Sequence, residues 1–116
     1  MTRHRAERHG RLAEAVAACW LRLHGWKILG RRVRTPVGEV DIIARRGRTL
    51  AFVEVKGRAT RAELDIAIDR HRLKRVAAAA NYLAHRHADP ADAIRIDVIL
   101  IAPGAWPRHL TNVWHG

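Results

Sequence analysis

Gly38-Glu39-Val40-Asp41-Ile42-Ile43-Ala44-Arg45-Arg46-Gly47-Arg48-Thr49-Leu50-Ala51-Phe52-Val53-Glu54-Val55-Lys56-Gly57-Arg58 forms the centre of the chain, and the other elements are placed around it. Two apolar runs flank Gly47-Arg48, which as a two-residue loop makes a β-hairpin. The loop then sets the register: Arg46 faces Thr49, Ile43 faces Phe52, and Asp41 faces Glu54. With side chains alternating along each strand, Glu39, Asp41, Ile43 and Arg45 share a face with Leu50, Phe52, Glu54 and Lys56. Directly opposed carboxylates about 5 Å apart at Cβ repel unless a positive charge lies between them. A divalent cation meets that need, and Lys56 adds a fixed ammonium on the same face.

Two carboxylates and little else suit Mg²⁺, which keeps several waters and is completed by substrate phosphate, so binding without substrate is weak. There is no cysteine pair and no zinc-type histidine spacing. A metal so placed can activate a water for attack on a phosphodiester, with Lys56 orienting the water or stabilising the transition state. The plainer reading is an ion-pair network on an open sheet face. The apolar setting of the acids and the charge of the chain favour metal chemistry over it.

Working outward, Trp26–Arg34 reads as a first strand, and Thr35-Pro36-Val37-Gly38 as the turn into the hairpin. Before it, Arg11–His24 is an amphipathic helix with an apolar stripe of Leu12, Val16, Cys19, Trp20 and Leu23, widened by Ala13, Ala17 and Leu21, and ended by Gly25. Glu14 falls at the border of that stripe. Residues 1–10, rich in Arg and His, read as a mobile start. After the hairpin, Thr60-Arg61-Ala62-Glu63 resembles a capping box, and Asp69 opens a helix over about 70–87. Arg70, His71, Arg72, Lys74 and Arg75 crowd its first turns against the helix dipole, which a phosphate backbone lying there would explain, a solvated basic face being the plain alternative. Ile94–Ile101 is a buried strand whose only charged residues are Arg95 and Asp97. His109–Trp114 is expected to be a short edge strand.

The chain has 116 residues, which supports one domain over 1–116, and 22 Lys+Arg against 11 Asp+Glu give a formal charge of +11. That field points first to nucleic acid as partner and second to an anionic membrane, and since ribosomal or chromatin-type packing gives the same number, charge alone names no activity. The single Cys19 excludes a disulfide framework and favours a reducing compartment. No segment approaches the ~18 apolar residues of a membrane span, and the N-terminus has no signal-peptide core, so a soluble cytoplasmic protein without membrane contact is expected.

Beyond these readings, the chain resembles the YraN-type family UPF0102, within the PD-(D/E)xK nuclease superfamily, over about residues 10–114. The likeness rests on Gly10 with Glu14, Gly38-Glu39-Val40-Asp41-Ile42-Ile43-Ala44, Phe52-Val53-Glu54-Val55-Lys56 with Arg58, Ala79 with Tyr82-Leu83, and Arg95-Ile96-Asp97-Val98. It implies an α/β restriction-endonuclease-like αβββαβ core, a central mixed sheet flanked by helices. It also implies an Mg²⁺- or Mn²⁺-dependent endonuclease acting on DNA in preference to RNA, on branched or junction-like substrates. Glu14, Asp41 and Glu54 would be metal ligands, Asp41, Glu54 and Lys56 the catalytic set, and Arg58 with Arg70, His71, Arg72, Lys74 and Arg75 the nucleic-acid contacts. Val40 stands where the superfamily name has proline. The lysine expected early in the second helix has His71 nearest by spacing and Lys74 as the alternative. A two-fold junction would suit a homodimer, by analogy. The alternative function is a nucleic-acid-binding module, for structured DNA or RNA, that keeps the nuclease fold without catalysis. A third is a basic structural component of a larger assembly.

Overall fold

The computed structural model of the chain describes residues 3–57 and 70–114, with side chains from Gly10 onward. Its elements are α1 (Arg3–Leu23), β1 (Lys27–Thr35), β2 (Gly38–Arg46), β3 (Thr49–Gly57), α2 (Arg70–His87), β4 (Ala93–Ile101) and β5 (Arg108–Leu110). The five strands form one sheet in chain order; β3 and β4 are parallel and the other neighbours antiparallel. Parallel neighbours need a long crossover, and α2 lies on it. The expected αβββαβ order and mixed sheet are therefore present, with β5 added at the edge. Thr60–Glu63, Asp69 and Arg58 lie outside the described residues. No helix among the described residues is long and apolar enough to cross a membrane.

One helix covers each face of the sheet. Ala17, Ala18 and Leu21 of α1 pack with Ile42, Ala44, Ala51, Val53 and Ile99. Leu73, Val76, Ala80 and Leu83 of α2 pack with Val40, Ile43, Leu50, Phe52 and Val98 on the other side. The α1 helix ends as expected, in a Schellman arrangement: Trp26 N–H bonds Leu21 O, Gly25 N–H bonds Arg22 O, and Gly25 takes φ 85°.

Three expectations need correction. The first helix begins at Arg3 instead of Arg11. The last strand covers Arg108–Leu110, earlier and shorter than His109–Trp114. The buried face of α1 is also not the Leu12 stripe. Leu12, Val16, Cys19 and Leu23 are exposed, Leu23 to 78%, whereas Ala13, Glu14, Ala17, Ala18 and Leu21 are buried. The reason is proximity. A Cβ on Gly57 would stand 3.0 Å from Ala13 Cβ, so at that level only a small side chain fits between this helix and the sheet, while Leu21 is buried further along. Leu12, Val16 and Leu23 are left facing out.

Besides a register shift between Ile28 and Gly30 of β1, regular alternation breaks at the same level of two strands. In β2, Ile42 and Ala44 face α1 while Ile43 faces α2, yet Val40 also faces α2, so the pleat changes face at Asp41. Across from it, Arg31 pairs with Ile42 and Val33 with Val40, and Arg32 between them has φ 50°. Val33 packs on the α2 side. The matched break at Arg32 and Asp41 decides where the functional side chains go.

Candidate metal and nucleic-acid site

The hairpin turns at Gly47-Arg48. Gly47 has φ 59° and Arg48 does not follow it to positive φ, which fits a type II′ turn. The register runs as expected from Arg46–Thr49 through Ile43–Phe52 to Ile42–Val53. There the ladder stops. At the next level Asp41 turns toward β3, and its Oδ2 accepts the Val55 N–H at 2.8 Å, in place of a ladder bond. The hairpin is thus held open at the level where Asp41 and Glu54 meet.

Asp41 and Glu54 line a cleft of about 220 Å³ with Glu39, Arg72, Arg75 and Val76. Helix α2 reaches it because Gly38 has no side chain: a Cβ there would come within 2.6 Å of the Arg75 carbonyl oxygen. At the far end of α2, Arg45 Nη2 donates to His87 O at 2.6 Å and to Asp92 Oδ2 at 2.7 Å, tying helix to hairpin.

Charge in this cleft is incompletely compensated. Glu54 is buried, with Oε1 2.9 Å from Arg72 Nη2 and 3.4 Å from Lys56 Nζ. Neither approach has hydrogen-bond alignment, and Oε1 has no hydrogen-bond partner among the described residues. Burial, and then the Glu54 charge, push the Asp41 pKa up to about 7; the Val55 N–H and Arg72 oppose the rise, and Glu14 adds to it. Lys56 is itself buried beside Glu54.

Glu14 arrives from the α1 side, 5% exposed. Its carboxylate is taken by two arginines of β1: Arg31 Nε at 3.1 Å from Oε1, and Arg32 Nε at 3.1 Å from Oε1 and 3.2 Å from Oε2. Accordingly, among the described residues no three Asp, Glu, His or Cys side chains are gathered as a cation site. The donor set that fits a metal is the Asp41–Glu54 pair, two hard carboxylates, one of whose buried oxygens has no hydrogen-bond partner among the described residues. That number suits Mg²⁺ or Mn²⁺ completed by water and phosphate.

The basic cluster of α2 divides. Arg72 and Arg75 enter the cleft, Arg70 lies over the Trp114 ring at 5.2 Å, and His71 and Lys74 are exposed. The early-helix cation beside the acids is therefore Arg72, neither His71 nor Lys74. Sequence reasoning did not single out Arg31 and Arg32. Alternation would send consecutive strand residues to opposite faces, and only the φ of Arg32 brings both to Glu14. A second cluster was visible only as two charges in an apolar strand. Asp97, fully buried, accepts from Arg95, from His109 Nε2 at 2.8 Å and from Asn112 N–H at 2.9 Å. Burial opposes its ionisation, but the hydrogen bonds from His109, Arg95 and Asn112 prevail and hold its pKa below the usual carboxylate value. This network fastens β5 and the C-terminal residues to β4.

Comparison with known proteins places the chain. The model of the "Uncharacterised protein family UPF0102" matches residues 13–101. The chain belongs to the UPF0102 family. Its UPF0102 relatives include a protein of Sphingopyxis alaskensis, 65% identical over 114 residues and 98% of both chains, and one of Erythrobacter litoralis, 60% identical over the same share. Among solved structures, a Holliday junction resolvase of Archaeoglobus fulgidus, Hjc, superposes with a TM-score of 0.59 at 20% identity, covering 84% of this chain and 71% of that one. At that identity the likeness is one of fold: this UPF0102 chain has the restriction-endonuclease-like α/β core.

Proposed function

We propose that this UPF0102 protein is a metal-dependent endonuclease that hydrolyses phosphodiester bonds of DNA, with branched or junction-like DNA as its preferred substrate. The observation that carries the reading is the Asp41–Glu54 pair across the opened end of the hairpin, with Lys56 Nζ 3.4 Å and Arg72 Nη2 2.9 Å from a Glu54 oxygen that has no hydrogen-bond partner among the described residues. Asp41 and Glu54 would hold Mg²⁺ or Mn²⁺, and a metal there supplies an activated water and charge neutralisation at phosphorus. Lys56, fixed by burial, places a positive charge where negative charge grows on the phosphoryl oxygens. Arg72 and Arg75 anchor the phosphate backbone at the cleft mouth, and Arg70, His71, Lys74 and Arg58 extend that contact in sequence. Affinity is then dominated by phosphates and falls steeply with salt. A two-fold junction would be met by a homodimer.

The test is nicking or cleavage of branched, duplex and single-stranded DNA with Mg²⁺ or Mn²⁺. Asp41→Ala, Glu54→Ala and Lys56→Ala are each expected to abolish it, and activity surviving in the two acid variants would sink the reading. The occupation of Glu14 by two arginines favours one second reading, a nucleic-acid-binding module without catalysis. That module would bind DNA with an affinity unaffected by divalent metal or by Lys56→Ala.

A further inference from the structure

Two consecutive residues of one strand do not normally reach the same carboxylate, because their side chains leave opposite faces of the sheet. Arg31 and Arg32 do so here, and the means is a left-handed backbone at Arg32, φ 50°. A non-glycine residue in that region is strained, and strain of this kind gathers at functional positions. The carboxylate they hold is buried, whereas the guanidinium side chains are 36% and 43% exposed. One arginine would neutralise Glu14. The second is surplus to charge balance, and both are within reach of a ligand from solvent. Arg32 lies between the pairs Arg31–Ile42 and Val33–Val40, across from Asp41, so the carboxylate it holds is brought to the level of that acid.

We propose that Arg31 and Arg32 form a clasp on Glu14 that a nucleic-acid phosphate exchanges. Phosphodiester oxygens draw the two guanidiniums outward, and the released carboxylate joins Asp41 and Glu54 in holding a divalent cation. Arginine suits the exchange, since its planar fork bonds carboxylate and phosphate with the same geometry. The proposal rests on the reading of Asp41 and Glu54 as metal-holding residues, and makes cation binding conditional on substrate.

Calorimetry with Ca²⁺, a hard cation taking the same kind of oxygen ligands, tests this without turnover. The full chain is titrated alone and with a DNA duplex, as wild type and as an Arg31→Gln/Arg32→Gly variant in which glycine accepts the φ of position 32. The expected result is that duplex tightens Ca²⁺ binding to the wild type about tenfold or more. The double variant should bind Ca²⁺ that tightly without DNA. A variant alone no tighter than the wild type alone overturns the clasp and leaves the nuclease reading standing; absence of Ca²⁺ binding in every form overturns both. Glu14→Gln, measured without metal, is the independent arm. Freeing the two arginines should tighten duplex binding severalfold and steepen its salt dependence by up to about two phosphate contacts. An unchanged affinity and slope in Glu14→Gln would overturn the clasp whether or not the double variant folds.

Discussion

Asp41→Asn is expected to make the metal-free protein more stable, against the general rule that substitutions in a buried site cost stability. The folded chain keeps a proton on Asp41 up to about pH 7, while the unfolded chain releases it near 3.8. Between those values the native state binds more protons, so this residue's contribution to stability falls as pH rises and its full cost is present above pH 7. About three pH units at 1.36 kcal/mol each set a ceiling of about 4 kcal/mol. Asp41 is only half-buried at a cleft wall, and solvent screening brings the expectation to about 2 kcal/mol. Asparagine removes the charge but keeps an oxygen to accept the Val55 N–H. Urea unfolding without divalent metal should therefore show the variant about 2 kcal/mol more stable at pH 8, with the gap closing as pH falls to about 4. In thermal melts that is a rise of roughly 10 °C. A variant less stable than wild type at pH 8, or a gap that does not change with pH, would refute the electrostatic account of the cleft.

Arg72→Ala leaves the buried Glu54 carboxylate without its guanidinium and should cost about 1–2 kcal/mol in urea melts, while Glu54→Gln in the same chain should restore most of the loss. Gly38→Ala drives a Cβ into the Arg75 carbonyl, so it should cost about 2 kcal/mol or more and, by shifting α2, weaken duplex binding. On α1, Leu12→Ser should change stability by less than about 0.5 kcal/mol, and Ala17→Leu should cost about 1–3 kcal/mol, because Ala17 lies against the sheet and Leu12 does not.

What the amino-acid sequence by itself determined is local. Glycine at position 47 permits a tight turn, and the turn sets pairing from Arg46–Thr49 to Ile42–Val53, which leaves Asp41 and Glu54 as the next residues along the two strands. Turn chemistry and strand alternation act over a few residues, so neither needs the rest of the chain. The helix stop at Gly25 and the order of elements were legible for the same reason. Tertiary structure decided everything that depends on how closely two elements approach. Both sides of α1 carry apolar residues, and the close packing of Ala13 on Gly57, where an added Cβ would have no room, selects the alanine side, which in turn buries Glu14. Arg72, not His71 or Lys74, enters the cleft because Gly38 lets α2 settle onto the hairpin at one particular rotation. The pairing of Glu14 with Arg31 and Arg32 requires a backbone conformation that alternation forbids and that long-range contacts on both strands impose at Arg32 and Asp41. The hairpin thus brought the two acids to the end of one ladder, and the packing of a helix on each face set the charges that surround them.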